Sequence, residues 1–313
     1  MSGSCEGRVA LVTGASRGGT GTAIAVRLAA EGAKVAITAR SQAGLEETAV
    51  RIAEAGGSAL VLVADLSDTR GERGRLVERT EAALGPIDIL VNSAAAGGYK
   101  PFERWTTPEL EALHQTNVWG PWELMAAALP GMRARRRGWI LNLTSFTGEL
   151  PPGPPFPNNL PARAGSAYGA SKAALNRMTL AAAIETHGQG IAVNALAPQA
   201  AVATRDLVAS GRIEKHWFEP LETMAEAALA LCTGDPARLT GRIAYSLQLL
   251  VELGRPVRDL RGQALVPGWQ PGDLPAVIAR QLAAHAESGW PHAYEFGRPS
   301  SPPAGLAPPP ARA

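Results

Sequence analysis

Tyr168 and Lys172 stand four residues apart within Ala167-Tyr168-Gly169-Ala170-Ser171-Lys172-Ala173-Ala174-Leu175, a run of small, helix-forming residues. On a helix that spacing puts both side chains on one face. A nearby ammonium favours phenolate, so the pair predicts a Tyr pKa below its ordinary value of about 10. Such a phenol could give or take a proton near neutral pH. The choice of Lys is informative, because among 30 Lys and Arg residues only Lys34, Lys100, Lys172 and Lys215 are Lys. Lys offers a compact point charge with rotatable donors where Arg offers a planar fork. Taken alone, Tyr-x-x-x-Lys describes an ordinary surface helix pair equally well.

A second group is the loop Gly14-Ala15-Ser16-Arg17-Gly18-Gly19-Thr20-Gly21. It follows an apolar, β-branched run at 8–13 that predicts a buried strand, and it precedes a helical pattern at 22–31. Strand, glycine-rich turn and helix N-terminus form an anion site, with backbone N–H groups and the helix dipole aimed at phosphate. Gly14, Ser16, Arg17, Gly18 and Gly21 are the candidate contacts there, glycines being needed where the backbone turns tightly or nears a pyrophosphate. The second predicted strand, 34–39, ends at Ala39-Arg40, where a site preferring NAD usually carries an acidic residue. With Arg17 and Arg40 and no carboxylate, the loop suits a 2′-phosphate and hence NADP(H) over NAD(H). The alternative is two exposed arginines in an Arg-rich chain.

Those candidates require a scaffold of alternating elements. A helix at 42–55 leads to a strand at 59–63 and Asp65, which either accepts a hydrogen bond from adenine or opens the next turn. A helix over about 70–84 leads to a strand at 88–91, followed by Asn92-Ser93-Ala94-Ala95, small enough at Ala94 for a cofactor to lie close. A long helix is predicted over 107–135, containing Asn117, then a strand at 139–144 with Ser145 at its carboxyl end. Residues 146–166 carry Pro151, Pro152, Pro154, Pro155, Pro157 and Pro161 and exclude regular helix or inner strand. The helix of Tyr168 and Lys172 and a strand at 191–196 follow. Such alternation implies right-handed crossovers and an α/β, doubly wound parallel sheet, whose ligands bind beyond the strands' carboxyl ends. Gly14, Arg40, Asp65 and Asn92 all fall at such ends.

With 313 residues and 46% hydrophobic content, the chain has ample material for a sizeable core. A net charge of +2 gives no footprint for nucleic acid or an anionic membrane. Cys5 and Cys232 make no disulfide framework, the N-terminus lacks signal-peptide character, and no apolar run reaches about 18 residues. A cytoplasmic protein with no membrane span is expected. His114, His187, His216, His285 and His292 have no metal-ligand spacing, so no metal is implied.

In their order, Thr13-Gly14-x-x-x-Gly18, Asp65, Asn92-Ser93-Ala94, Asn117, Ser145 and Tyr168-x-x-x-Lys172 resemble the short-chain dehydrogenase/reductase family over about residues 6–250. The resemblance implies a Rossmann fold and reversible hydride transfer between a nicotinamide and a carbonyl or secondary alcohol. It implies a catalytic tetrad of Asn117, Ser145, Tyr168 and Lys172: Ser145 polarises the carbonyl, and Tyr168 protonates the alkoxide. Lys172 tunes the phenol and holds the nicotinamide ribose, so Tyr168 and Lys172 also count as cofactor contacts. Asn117 carries a water linking Lys172 to solvent. Pairing of the helices holding Asn117 and Tyr168 between subunits implies a homodimer or homotetramer.

Four departures qualify the resemblance. The glycine loop is one residue longer than usual, and its last glycine is assigned to Gly21. Ser145 and Tyr168 lie 23 residues apart where about a dozen is usual, so 146–166 is an insertion expected to wall or cover the substrate pocket. The family's Pro-Gly reads Pro198-Gln199, with Thr204 the best match to a cofactor-meeting Thr. Residues 247–254 read as a helix where a glycine-bearing strand end is common. The dinucleotide-binding domain is thus expected at 1–254. A C-terminal extension with a helix at 274–287 follows at 255–297, and a disordered tail at 298–313. A hydrophobic ketone or alcohol in a roomy, apolar site is the expected small-molecule substrate, with 213–221 (His216, Trp217, Phe218) closing its pocket. The alternatives are a 3-oxoacyl thioester reductase and a catalytically silent nucleotide-binding sensor.

Overall fold

Valine, isoleucine and leucine runs bounded by glycine turns build the sheet in the computed structural model, which describes residues 3–69, 72–151, 153–211, 213–287 and 289. The chain runs β1 (Val9–Thr13), α1 (Thr20–Ala30), β2 (Lys34–Ala39), α2 (Gln42–Glu54), β3 (Ala59–Val63), α3 (Glu72–Leu84) and β4 (Ile89–Asn92). It continues through α4 (Thr107–His114), α5 (Gly120–Arg135), β5 (Gly138–Leu143), α6 (Leu160–Ala164), α7 (Ser166–Thr186) and β6 (Ile191–Ala197). It then passes through β7 (Ala201–Val202), α8 (Arg205–Ala209), β8 (Phe218–Glu219), α9 (Leu221–Thr233), β9 (Ile243–Tyr245), α10 (Ser246–Glu252) and α11 (Leu274–Glu287).

Seven strands form one parallel sheet in the order β3-β2-β1-β4-β5-β6-β9, and β7 pairs with β8 as a separate ribbon. The inner strands β1, β4, β5 and β6 are buried throughout, as a sheet covered on both faces requires. Helices α1 and α9 pack together, and on the other core α3 packs against α5. The order reverses between β1 and β4, a switch point where a doubly wound sheet opens a crevice. The α/β doubly wound fold predicted from the sequence is therefore the observed one.

Two predicted elements differ. The single helix expected over 107–135 is broken by a π-turn at Gln115–Trp119, which separates α4 from α5. Pro121 has no N–H for a continuous ladder, and Asn117 lies inside the widened turn. The segment expected to be free of helix contains the short α6; Pro161 falls in its first turn, where no backbone N–H is required. Helix α11 matches the predicted 274–287, whereas the tail expected at 298–313 and residues 290–297 of the extension lie outside the described residues.

The insertion begins against the sheet rather than away from it. Glu149 is buried and accepts a hydrogen bond from the Tyr245 hydroxyl at the end of β9. Burial pushes its carboxyl from 4.5 up to about 8, the hydrogen bond opposing. Between those values the folded chain holds a proton that the unfolded chain has lost, so this group's contribution to stability falls as pH rises through that window. Glu149→Gln is expected to gain on wild type by several °C in melting temperature, on the order of 3 kcal/mol, as pH rises from about 5 to about 8. A gap that stays constant in thermal melts would assign that titration elsewhere.

Candidate functional site

The small residues around Tyr168 are explained by how closely α7 approaches the turn after β5. A Cβ on Gly169 would stand 2.6 Å from the Thr147 carbonyl oxygen, and one on Gly148 would stand 2.9 Å from the Lys172 carbonyl carbon. Two glycines thus let backbone meet backbone, which brings Ser145 against the first turns of α7. Ser145 Oγ accepts from the Thr147 N–H at 3.3 Å and from the Thr147 hydroxyl at 3.0 Å, leaving its own proton to donate. It also hydrogen-bonds the Tyr168 phenol.

Below the phenol, the Lys172 ammonium is buried, donates to the Leu143 carbonyl at 2.8 Å and lies 5.5 Å from the centroid of the Tyr168 ring. Asn117 is fully buried: Oδ1 accepts from Ala96 N–H at 2.7 Å, and Nδ2 donates to Ala96 O at 2.8 Å and Ser171 Oγ at 3.0 Å. Ser171 in turn donates to the Tyr168 carbonyl at 2.7 Å. The four residues therefore form one connected cluster that reaches the Ala96 backbone.

The predicted direction of the Tyr168 shift is corrected by this geometry. Burial raises the Tyr168 pKa, and the neighbouring Tyr99 (ring centroids 6.3 Å apart) raises it further, while the Ser145 hydrogen bond lowers it. Burial also pulls Lys172 down to about 8. The ammonium lies over the ring and donates to the Leu143 carbonyl, and desolvation outweighs the attraction that spacing alone suggested.

A crevice of about 360 Å³ opens at the switch point, bounded by Gly14, Ser16 and Arg17 on one side and by Ser93, Ala94, Ala95 and Ala96 on the other. Arg40, Asp65 and Thr204 also line it. Gly14 has φ +67°, and a Cβ there would lie 2.6 Å from Ala94 Cα, so only glycine keeps the two strand ends this close. Thr13 Oγ1 fixes the same spacing by accepting from the Ser93 and Ala94 N–H groups, each at 3.0 Å. Gly21 packs α1 against the loop, a Cβ there meeting Gly14 O at 2.6 Å. Arg17 takes φ +61°, an uncommon conformation for a residue with a Cβ, and its side chain is exposed at the rim. Thr38 lines the floor, buried, with no partner for its Oγ1 among the described residues.

Other predicted contacts are placed differently. Asn92 is turned into the sheet, its Nδ2 donating to Asn142 Oδ1 at 2.8 Å. Asp65 accepts from the Ser67 N–H at 2.9 Å and hydroxyl at 2.8 Å, so its carboxylate closes a turn as well as facing the crevice. Gly18 (φ +65°), Pro198, Tyr168 and Lys172 are outside the crevice lining, and Gly97 stands between it and the Ser145–Tyr168 cluster, since a Cβ there would lie 4.0 Å from Tyr168 Cε2. Sequence reasoning missed Arg51 and Arg205, whose guanidiniums come within 3.6 and 3.7 Å of a Cβ built on Gly18. They lie far apart in the chain, and no local pattern marks either one.

Among the described residues no cluster of potential metal ligands occurs, and no helix is long and apolar enough to cross a membrane. Residues 8–210 match the family model for short chain dehydrogenases. The ketoacyl reductase HetN of Nostoc sp. is 35% identical over 192 residues, 61% of this chain and 63% of that protein. A short chain dehydrogenase of Pseudocercospora fijiensis is 33% identical and covered over 60% of its length, so the chain spans under two thirds of either relative. The granaticin polyketide synthase putative ketoacyl reductase 2 of Streptomyces violaceoruber is 33% identical over 76% of this chain and 85% of its own. Among solved structures, a 3-oxoacyl (acyl-carrier-protein) reductase from Agrobacterium tumefaciens with NADP bound is similar with a TM-score of 0.67. Its identity is 30%, over 77% of this chain and 93% of that one. A metagenomic short-chain oxidoreductase in complex with NADP gives a TM-score of 0.62 at 32% identity, over 74% and 94%.

Proposed function

The chain belongs to the short-chain dehydrogenase family, and from that premise we propose that it is an NADP-dependent oxidoreductase interconverting a carbonyl and a secondary alcohol. The observation that carries this reading is the hydrogen-bonded Ser145–Tyr168 pair over a buried Lys172, joined through Asn117 and Ala96 to the crevice. Gly14, Ser16, Arg17, Arg40, Ala94 and Thr204 are the residues that would hold the dinucleotide. When bound, NADPH supplies the hydride. The Ser145 hydroxyl, which meets the phenol here, would turn its proton to hold and polarise a carbonyl oxygen. Tyr168, its pKa raised by burial, keeps its proton at neutral pH and is the general acid that delivers it to the developing alkoxide. That protonation state favours the reductive direction. The helix partners of Asn117 and Tyr168 remain the proposed surfaces of a homodimer or homotetramer, and a cytoplasmic location is proposed with them.

Arg17 and Arg40 on the rim, with Ala39 where a carboxylate would select NAD, support NADP. Arg40→Asp is expected to weaken NADPH binding by roughly 10- to 100-fold, the scale of a lost charge-assisted pair, and to reverse the preference toward NADH. Calorimetric dissociation constants for both cofactors check this; an unchanged ratio would remove Arg40 from cofactor selection. Exposed Tyr99, Phe102, Leu150 and Phe156, on the segments before α4 and after Ser145, support a hydrophobic substrate. Because ketoacyl reductases recur among the relatives, a second reading is reduction of 3-oxoacyl thioesters. NADPH consumption with a panel of free ketones and 3-oxoacyl thioesters separates the two. Turnover of thioesters alone would select the second, and tight NADPH binding with no turnover of either would favour a silent sensor.

A further inference from the structure

Helix α11 lies beyond the part of the chain that matches the family model, yet it is built into the substrate side of the site. Leu274 anchors its start in the core, and Arg280 Nη2 donates to the His216 carbonyl at 3.1 Å. Phe146, the residue after Ser145, meets the His285 ring edge-on with centroids 5.0 Å apart. Leu282 packs with Phe146 against Ala197 and Tyr245 at the ends of β6 and β9.

Between α11 and the segment after β6 is a solvent-open groove of about 230 Å³, lined by Ala201, Ile213, Trp217, Gln281, Ala284 and His285. That is room for roughly seven or eight water-sized groups. None of these residues carries a fixed charge, and burial lowers the His285 pKa, which keeps its ring neutral. Gln281 is 5% exposed, and its Nε2 has no partner among the described residues. A buried amide N–H without an acceptor is costly, and such a group persists where something else satisfies it. The terminal torsion of Gln is soft, so the amide can turn an N–H toward the groove.

We propose that this groove is the distal subsite of the substrate pocket, where the Gln281 carboxamide donates to a neutral oxygen acceptor (an ether, ester or ketone oxygen) on an otherwise apolar substrate. The proposal rests on the carbonyl-reductase reading of the Ser145–Tyr168 pair. Ile213 and Trp217 bury the apolar part of the substrate, and a charged end would find no counter-ion among the described lining residues.

The test is calorimetric binding to the full chain of two ketone series of stepped length, alkan-2-ones and ω-methoxy alkan-2-ones. At one length or more, wild type is expected to bind the methoxy ketone about 10-fold tighter than its equal-length parent, the scale of one hydrogen bond made in a buried site. Gln281→Leu is expected to erase that preference while binding the parent ketones within about 2-fold, and in NADPH-coupled assays to raise KM for the methoxy ketone with kcat unchanged. A second variant, Ala284→Phe, fills the groove and is expected to exclude the long members of both series. Equal preference in wild type and Gln281→Leu, parallel weakening of both series, or long ketones undisturbed by Ala284→Phe would each overturn the subsite, as would absence of binding by either series. Binding with the predicted preference but without NADPH consumption would count against the reductase reading and leave the subsite standing.

Discussion

Tyr168→Phe is expected to lower kcat for NADPH-dependent carbonyl reduction by roughly 10²–10⁴-fold, the usual contribution of a positioned general acid, equivalent to about 3–5 kcal/mol of transition-state stabilisation. The substitution removes one oxygen and little else. The ring keeps its position against Tyr99, over the Lys172 ammonium and beside Gly97. What disappears is the hydrogen bond with Ser145 and the proton that would pass to the substrate oxygen. The crevice lining omits Tyr168, so the NADPH dissociation constant is expected to stay within about 3-fold of wild type, inside the scatter of a distant surface change. Single-turnover reduction with saturating NADPH separates chemistry from binding. If wild type and variant reduce the same ketone at the same rate, the phenol is not the acid; if neither reduces any carbonyl but both bind NADPH, the sensor reading takes its place.

The sequence made the scaffold legible where one strong local rule acted. Strands β2 and β3 run over the predicted residues, because short apolar runs between turn signals leave few alternatives. Helix α11 likewise covers the expected 274–287. Rules that compete across distance were less legible. The apolar period over 107–135 continues through the π-turn, and the break is set by Pro121 together with the tertiary demand on Asn117, whose side chain binds the Ala96 backbone from within that turn. Likewise the spacing of Tyr168 and Lys172 gave their neighbourhood, but the sign of the Tyr shift depends on how much water each loses, which no pattern encodes. Asn92 reads as a crevice residue by position and proves to be a link between β4 and β5, because the side chain of a strand's last residue can point along the sheet as well as beyond it. Arg51 and Arg205 became candidates only once α2 and α8 were seen to converge on Gly18.

The lengthened glycine loop leaves its register open in the sequence, and the structure turns that ambiguity into the second large expected effect. Gly21→Ala adds one methyl inside α1, where helix propensity alone would favour Ala by about 0.8–1.0 kcal/mol. The methyl would stand 2.6 Å from Gly14 O and 2.9 Å from Ser93 Oγ. Neither neighbour yields cheaply: Gly14 is a backbone group held against Ala94, and the Ser93 backbone is tied to Thr13 Oγ1. Overpacking of this kind costs about 1–3 kcal/mol, so it offsets or exceeds the propensity gain and leaves the variant up to about 2 kcal/mol less stable. The larger effect falls on the cofactor, since relief of the clash moves Gly14 and with it the wall of the crevice. NADPH affinity is expected to drop by at least about 10-fold, as a misplacement near 1 Å does at a preorganised site. Gly19→Ala is the control. At Gly19 the nearest atom to a new Cβ is 3.9 Å away and the backbone is extended (φ −88°, ψ −168°), so the cost is confined to a poorer N-cap, below about 1 kcal/mol. Affinity in that variant is expected to stay within about 3-fold of wild type, the size of an ordinary surface change. Denaturant titration and NADPH calorimetry on the two variants decide the register. If Gly19→Ala rather than Gly21→Ala abolishes binding, the last glycine of the phosphate loop is Gly19, and α1 approaches the cofactor by a different edge.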